Sequence, residues 1–153
     1  MTQPKVSFVI AVYNGEKYVE ACVDSCLNQT YGNVEVCITD DGSEDRTLQI
    51  MQEFYGADER VKIDSFGQNR GKVAAFNNSQ AMATGELIVI FGADDVNYAD
   101  RLEKSVAYML AERGDLLVGC AVTRAGFWLN AWDDDDITIN LTSGGGSVGV
   151  LNY

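Results

Sequence analysis

Two stretches of this chain close a run of strand-forming residues on a pair of aspartates, and that repetition restricts the fold more than any other feature. One is Glu86-Leu87-Ile88-Val89-Ile90-Phe91-Gly92-Ala93-Asp94-Asp95, where five consecutive apolar residues, three of them Ile or Val, read as a buried strand. The other is Val34-Glu35-Val36-Cys37-Ile38-Thr39, followed by Asp40-Asp41-Gly42-Ser43. A charge buried without a partner or a metal is costly, so each pair belongs where its strand reaches water. In open parallel sheets that edge is where ligands bind. An Asp after a strand is also an ordinary turn residue and helix N-cap. Two pairs at equivalent places in a strand–helix alternation point instead to one acidic pocket at the carboxyl end of one sheet.

The rest of the pattern supplies that alternation. Val6 to Val12 reads as a first strand, turned by Tyr13-Asn14-Gly15, with Asn14 placed to cap a helix over 16–28. Tyr18, Val19, Cys22, Val23, Cys26 and Leu27 form that helix's apolar stripe. A second helix starts at Ser43 or Asp45, with Leu48, Ile50, Met51 and Phe54 inward; a short strand follows over 61–65. A loop rich in Gly, Gln and Asn over 66–71 leads to a third helix over 73–83, small on one side through Ala74, Ala75, Ala81 and Ala83. Asp100-Arg101-Leu102-Glu103 is a capping-box signature, opening a helix with Leu102, Val106, Met109 and Leu110 on one stripe. Leu116 to Val122 reads as a fifth strand. This order predicts an α/β layered fold with a largely parallel sheet and right-handed crossovers. Beyond Thr123 the pattern weakens, through the acidic loop Asp133 to Asp136, a short strand from Ile137 to Leu141 and the glycine-rich Ser143 to Ser147. The chain thus divides into a principal domain over 1–123 and a partial segment or divergent tail over 124–153.

Charge narrows the ligand. With 23 acidic against 11 basic residues the net charge is −12, which repels polyanions and argues against nucleic acid and anionic membranes as partners. A phosphorylated ligand would need a divalent cation to bridge it to the carboxylates. The chain has no histidine, so acid–base chemistry falls to carboxylates, Lys, Tyr or Cys. Cys22, Cys26, Cys37 and Cys120 lack zinc spacing and read as small core residues in a reducing compartment. No leader opens the chain and no apolar run reaches membrane-spanning length, so the expected place is the cytoplasm, with a peripheral membrane position open. No Gly-x-Gly-x-x-Gly follows the first strand, and there is no phosphate-loop Gly-Lys-Ser/Thr. Asn69-Arg70-Gly71-Lys72 is the phosphate candidate, with two cations beside a glycine at a helix start. A receiver-like phosphoacceptor domain would need acids after strand one, which ends in Val12-Tyr13-Asn14.

Taken together these residues resemble the family 2 glycosyltransferases of the GT-A fold, over Val6 to about Leu110. Val9-Ile10-Ala11-Val12-Tyr13-Asn14 is similar to the family's opening strand and Tyr-Asn turn, with Ala11 where proline is usual. Asn28-Gln29-Thr30-Tyr31 matches its Asn-Gln-Thr-Tyr, and Asp40-Asp41-Gly42-Ser43-Glu44-Asp45 its Asp-Asp-Gly-Ser-x-Asp. Asn69 to Lys72 with Asn77 resembles its Asn-x-Gly…Asn segment, although Phe76 stands where arginine is common. Tyr98-Ala99-Asp100-Arg101-Leu102 matches the run after its metal motif. That motif is Asp-x-Asp in the family and Gly92-Ala93-Asp94 here.

The resemblance implies a three-layer α/β/α sandwich with a largely parallel central sheet, incomplete at the carboxyl end. It implies transfer of a sugar from a nucleoside diphosphate sugar, of the uridine type, to a hydroxyl of a carbohydrate or lipid-linked acceptor by metal-assisted inverting displacement. The alternative is a non-catalytic module that binds sugar nucleotides. On this reading Tyr13, Asn14, Asp40, Asp41, Arg70, Gly71 and Lys72 bind the nucleotide, and Asp94, alone or with Asp95, holds Mg²⁺ or Mn²⁺. The family's catalytic base lies downstream in the acceptor half, and Asp133 to Asp136 fall too close to Asp94 to stand in for it.

Overall fold

The computed structural model describes residues 3–112 and, beyond them, five short strands over 116–117, 122–124, 128–133, 136–140 and 150–151. The alternation is the expected one: β1 (Val6–Val12), α1 (Val19–Leu27), β2 (Val34–Asp40), α2 (Thr47–Tyr55), β3 (Val61–Ser65), α3 (Lys72–Met82), β4 (Leu87–Gly92) and α4 (Arg101–Glu112). The four strands stand in the order β3-β2-β1-β4 and are all parallel. Val12 pairs with Asp40 and Asp40 with Ser65, while Ala11 pairs with Gly92, so the strands finish together along one edge.

Each strand divides its residues between two helical layers by simple alternation. Val6, Phe8, Ile10 and Val12 of β1, Val34, Val36 and Ile38 of β2, and Leu87, Val89 and Phe91 of β4 share one core with Val19, Cys22, Val23 and Cys26 of α1, Met51 and Tyr55 of α2, and Leu102 and Val106 of α4. The opposite face packs Val9 and Ile88 against Phe76 of α3. That second layer is thinner and more polar. Ala75 and Ser79 are the small buried positions of α3, and the Ser79 hydroxyl donates to the Ile10 carbonyl at 2.6 Å, so the helix lies close on the sheet. Ala81, expected on the same small face, is exposed.

The same face carries a buried carboxylate. Glu35 in β2 is 2% exposed and accepts from Lys5 Nζ at 2.5 Å, Ser7 Oγ at 2.6 Å, the Thr84 amide at 2.6 Å and Lys62 Nζ at 3.1 Å. Burial alone would raise its pKa, but these donors together hold it down at about 2. The cluster lies toward the amino ends of the strands, away from the edge formed by the Asp-Asp pairs.

Several helix expectations shift. In α2 the buried positions are Thr47, Met51 and Tyr55, four apart, and Phe54 is 60% exposed. The reason is Tyr55, whose hydroxyl reaches the Asp24 carboxylate at 2.7 Å and fixes the helix rotation against α1. Leu110 of α4 is likewise exposed, while Leu102 and Val106 are buried as expected. The acids of the expected capping box at the start of α4 are engaged elsewhere: Asp100 pairs with Lys104, and Glu103 accepts from the Thr30 hydroxyl at 2.8 Å.

The expected fifth strand over 116–122 is two strands, β5 (Leu116–Leu117) and β6 (Val122–Arg124), paired antiparallel to each other, with β6 also antiparallel to β4. Only four positions separate these short segments, too few for the crossover that a parallel pair needs. β7 (Trp128–Asp133), β8 (Asp136–Asn140) and β9 (Val150–Leu151) form a separate antiparallel sheet. Asp133 and Asp136 stand opposite each other as the last pair of the β7–β8 ladder. The side chain of Met109, Cys120, Asp134, Asp135 and the Ser143–Ser147 stretch lie outside the described residues. No helix among the described residues is long and apolar enough to cross a membrane.

Candidate functional site

The carboxyl edge of β3-β2-β1-β4 collects the candidate residues because each follows the end of one of these strands. Tyr13 and Asn14 leave β1, Asp40 ends β2 and Asp41 follows it, Arg70 to Lys72 bridge β3 to α3, and Asp94 and Asp95 follow β4. With neighbouring strands about 4.8 Å apart, the ends of β2 and β4 lie roughly 10 Å from each other across β1.

Asp40 and Asp41 are both buried, at 1% and 3% exposure, and their partners separate their roles. Asp40 accepts from the Ser43 amide and, through Oδ2, from the Ser65 hydroxyl at 2.9 Å, so it closes its own turn and ties β2 to β3. Asp41 donates its amide to the Val12 carbonyl at 2.8 Å, and its Oδ1 accepts the Arg70 amide at 2.7 Å. The loop after β3 is therefore moored to the turn after β2. Gly42 permits that approach. Its φ is 75°, and a Cβ there would stand 2.5 Å from the Gln68 carbonyl carbon and 2.6 Å from the Asn69 nitrogen.

Arg70 is exposed, with its guanidinium carbon 4.6 Å from the centroid of the Phe66 ring. Gly71 takes φ 91° at the N-cap of α3, a conformation that favours glycine, and Lys72 opens the helix. The amino end of α3 thus abuts the acidic turn, through the Arg70 amide bonded to Asp41.

Asn14 does not cap α1, contrary to the sequence expectation. The helix starts at Val19 with Tyr18 before it, and Asn14, at φ 51°, bonds across to the second loop. Its amide donates to Ser43 Oγ at 2.8 Å and its Oδ1 accepts the Glu44 amide at 2.9 Å. Gly15 donates to Thr47 Oγ1 at 2.8 Å, Glu16 to Asp45 Oδ2 at 3.1 Å, and Arg46 to Glu16 Oε2 at 3.1 Å. Burial works against the Asp45 carboxylate, but the donors Thr47 and Glu16 hold its pKa below the usual range. This latch fixes the two loops against each other, and Tyr13, 47% exposed, is left facing outward beside them.

Asp94 and Asp95 lie on the other side of β1, exposed, in the turn that leaves β4. The structure joins Asp41 to the Arg70 amide, ties the adjacent Asp40 to Ser43 and Ser65, and puts the Asp94-Asp95 pair apart from them along the same edge. Among the described residues no three His, Cys, Asp or Glu side chains converge as a self-sufficient metal site. Cys22 and Cys26 belong to the core: the Cys22 thiol donates to the Gly92 carbonyl at 3.4 Å, Cys26 Sγ accepts from Asn97 Nδ2 at 3.4 Å, and burial pushes the Cys26 pKa far up. Sequence reasoning missed Ser65 and Phe66, which have no motif of their own. It also missed the bracing role of Glu16 and Thr47; the Ser43 and Asp45 partners of that latch were visible in the Asp-Asp-Gly-Ser-x-Asp run.

Comparison with known proteins places this architecture. The family "Glycosyl transferase family 2" matches residues 7–145. An uncharacterized glycosyltransferase of Haemophilus influenzae is 38% identical over 110 residues, covering 72% of this chain and 44% of that protein. TarS of S. aureus, residues 1–349, solved in complex with UDP-GlcNAc, superposes with a TM-score of 0.68 at 28% identity over 74% of this chain and 33% of that one. The mannosyltransferase PcManGT from Pyrobaculum calidifontis, solved with GDP-Man and Mn²⁺, gives 0.65 at 26% identity, covering 71% and 33% of the two chains. The chain thus spans under half the length of each of these proteins. With four parallel strands, helices on both faces and this match across most of its length, the chain belongs to glycosyl transferase family 2 and has the α/β architecture of the GT-A glycosyltransferases.

Proposed function

We propose that this chain holds a nucleoside diphosphate sugar, of the uridine type, along the carboxyl edge of β3-β2-β1-β4 and forms the donor-binding part of an inverting glycosyltransferase. The observation that carries this reading is the buried Asp41 carboxylate, fixed through Oδ1 to the Arg70 amide and set beside exposed Tyr13 at the edge where parallel sheets bind ligands. Asp41 would accept from the base or ribose. Arg70, Lys72 and the amides at the start of α3 would face phosphate oxygens, and the roughly 10 Å from the end of β2 to the end of β4 matches the reach from a nucleoside to its diphosphate. TarS with UDP-GlcNAc and the mannosyltransferase with GDP-Man support a nucleotide-sugar donor. The acceptor, a carbohydrate or lipid-linked hydroxyl on this reading, and the base that deprotonates it would be engaged by parts beyond the described residues.

The residues at the end of β4 fit a divalent cation. Gly92 has no side chain, and the space a Cβ would fill is flanked by Asp95 Oδ2 at 2.7 Å and Asp94 Oδ1 at 3.2 Å. Two carboxylates suffice for Mg²⁺ or Mn²⁺ when phosphate oxygens complete the coordination. When bound, the cation would offset the repulsion between diphosphate and protein and stabilise the departing nucleotide. Asp94 and Asp95 would hold it, while Arg70 and Lys72 would supply charge from the other flank.

Two measurements test this reading. Calorimetry with uridine diphosphate should give an affinity weaker by about one to two orders of magnitude in chelator than in Mn²⁺, the worth of one or two charge-assisted contacts. Equal affinities would remove the cation from the site. Asp41→Ala should weaken binding about 10- to 100-fold, from a lost charge-assisted bond of roughly 1.5–3 kcal/mol, while circular dichroism shows the fold retained. A folded variant with an unchanged dissociation constant would refute the role of Asp41.

A further inference from the structure

We propose that Asp95 supplies the carboxylate that β4 lacks at Gly92, and that Gly92 is the positioning residue that lets it do so. The inference rests on the donor-binding reading above and goes beyond it by dividing the cation site among named residues. Consecutive side chains of an extended strand point to opposite faces. Here the strand stops at Gly92, and the Asp95 amide turns back to the Gly92 carbonyl at 3.2 Å. That turn brings the carboxylates of Asp94 and Asp95 to the same point, the one a side chain at 92 would occupy. Two like charges gathered within about 3 Å of one point repel each other unless a cation lies between them. Both are exposed, so the cation has access, and the carbonyl of Gly92 is held from beneath by the Cys22 thiol at 3.4 Å.

The geometry makes two demands that a general acidic surface would not. Position 92 must be small, because any Cβ would meet Asp95 Oδ2 at 2.7 Å and displace it. The carboxylate need not belong to residue 95 in particular, because an aspartate at 92 would place one from the strand end itself. No backbone atom is among the nearest neighbours of a Cβ at 92, and the atoms in its way belong to the Asp94 and Asp95 side chains, so such an exchange can be accommodated.

The test measures uridine diphosphate affinity by calorimetry with Mn²⁺ and with chelator, together with the Mn²⁺ paramagnetic resonance signal in the presence of the nucleotide. The variants are Asp94→Asn, Asp95→Asn, Gly92→Ala and the double Gly92→Asp/Asp95→Asn. Asp94→Asn and Asp95→Asn should each lose about tenfold or more of the Mn²⁺-dependent gain, one charge-assisted contact's worth. Gly92→Ala should lose part of it with both acids still present, and the double variant should recover what Asp95→Asn loses. If Asp94→Asn loses the gain while Asp95→Asn keeps it in full, or if the double variant stays as weak as Asp95→Asn, the assignment of Asp95 and Gly92 is overturned and donor binding stands. If the unaltered protein shows no Mn²⁺-dependent gain, the cation reading falls and takes this inference with it.

Discussion

Gly42→Ala is expected to lower the melting temperature by about 10 °C and to cost nucleotide affinity at least as much as removing the Asp41 carboxylate does. Two independent costs combine at this residue. Its φ of 75° lies in the left-handed region, where an L side chain costs roughly 1–2 kcal/mol. A Cβ there would also stand 2.5 Å from the Gln68 carbonyl carbon, 2.6 Å from the Asn69 nitrogen and 2.8 Å from the Gln68 Cα. All three are backbone atoms, so no side chain can rotate out of the way, and relief requires the loop after β3 to move. Overpacking of this kind costs about 1–3 kcal/mol, and at roughly 3 °C per kcal/mol for a chain of this size the sum gives the expected shift. The loop that must move carries Arg70, whose amide is bonded to Asp41 Oδ1, so displacement breaks the mooring that sets the candidate ligand edge. Gly67→Ala is the matched control. It lies in the same loop, and a Cβ there meets nothing within 4 Å. Thermal unfolding and calorimetry with uridine diphosphate on both variants decide the matter; a Gly42→Ala protein that melts and binds like Gly67→Ala would show that the two loops are not coupled through this contact.

What was legible in the sequence follows from what kind of signal each element leaves. β1, β2, β3 and β4 are short runs rich in β-branched residues, so their positions were readable to within a residue. Their shared edge was readable because charged pairs cannot stay inside a dry sheet. In α2 Leu48, Ile50 and Met51 were readable as inward, but Phe54 was not separable from Tyr55, since only the Tyr55–Asp24 bond chooses Tyr55 over Phe54. Asn14 was misread for a similar reason. A polar residue before a helix looks like a cap, and nothing local reveals that its partners are Ser43 and Glu44, about thirty positions away. The 116–122 stretch carries enough apolar residues for one strand, and its division into two antiparallel strands depends on pairing with β4 rather than on composition. Glu35 gave no warning either. An acid inside an otherwise apolar strand has no local signature that separates a paired buried charge from an edge position, and its four partners come from three separate stretches of the chain.

Glu35 is also where a single substitution should change stability most without touching the ligand edge. Glu35→Gln is expected to cost about 3 kcal/mol at pH 7, near the lower limit for breaking a buried ion pair, because Lys5 and Lys62 are about a third exposed and can turn to water. The pH dependence identifies the cause. Folding lowers the Glu35 pKa to about 2, against roughly 4.3 for an unperturbed glutamate. For a group depressed in this way the stabilisation is fully present above the unfolded value and is lost as pH falls through the folded one. The stability gap between the unaltered protein and Glu35→Gln should therefore be constant from pH 7 to about pH 5 and narrow steadily between about pH 4.5 and 2. Other carboxylates, Asp45 and Asp58 among them, are also held below their usual pKa, so both proteins lose stability in acid, and the difference between them is the diagnostic quantity. Urea unfolding of both proteins across this range measures it. A gap that stays the same at every pH would mean that Glu35 contributes shape and neutral hydrogen bonds rather than charge. Because the cluster lies toward the amino ends of the strands, the folded variant at pH 7 should bind uridine diphosphate as the unaltered protein does, in contrast to Gly42→Ala.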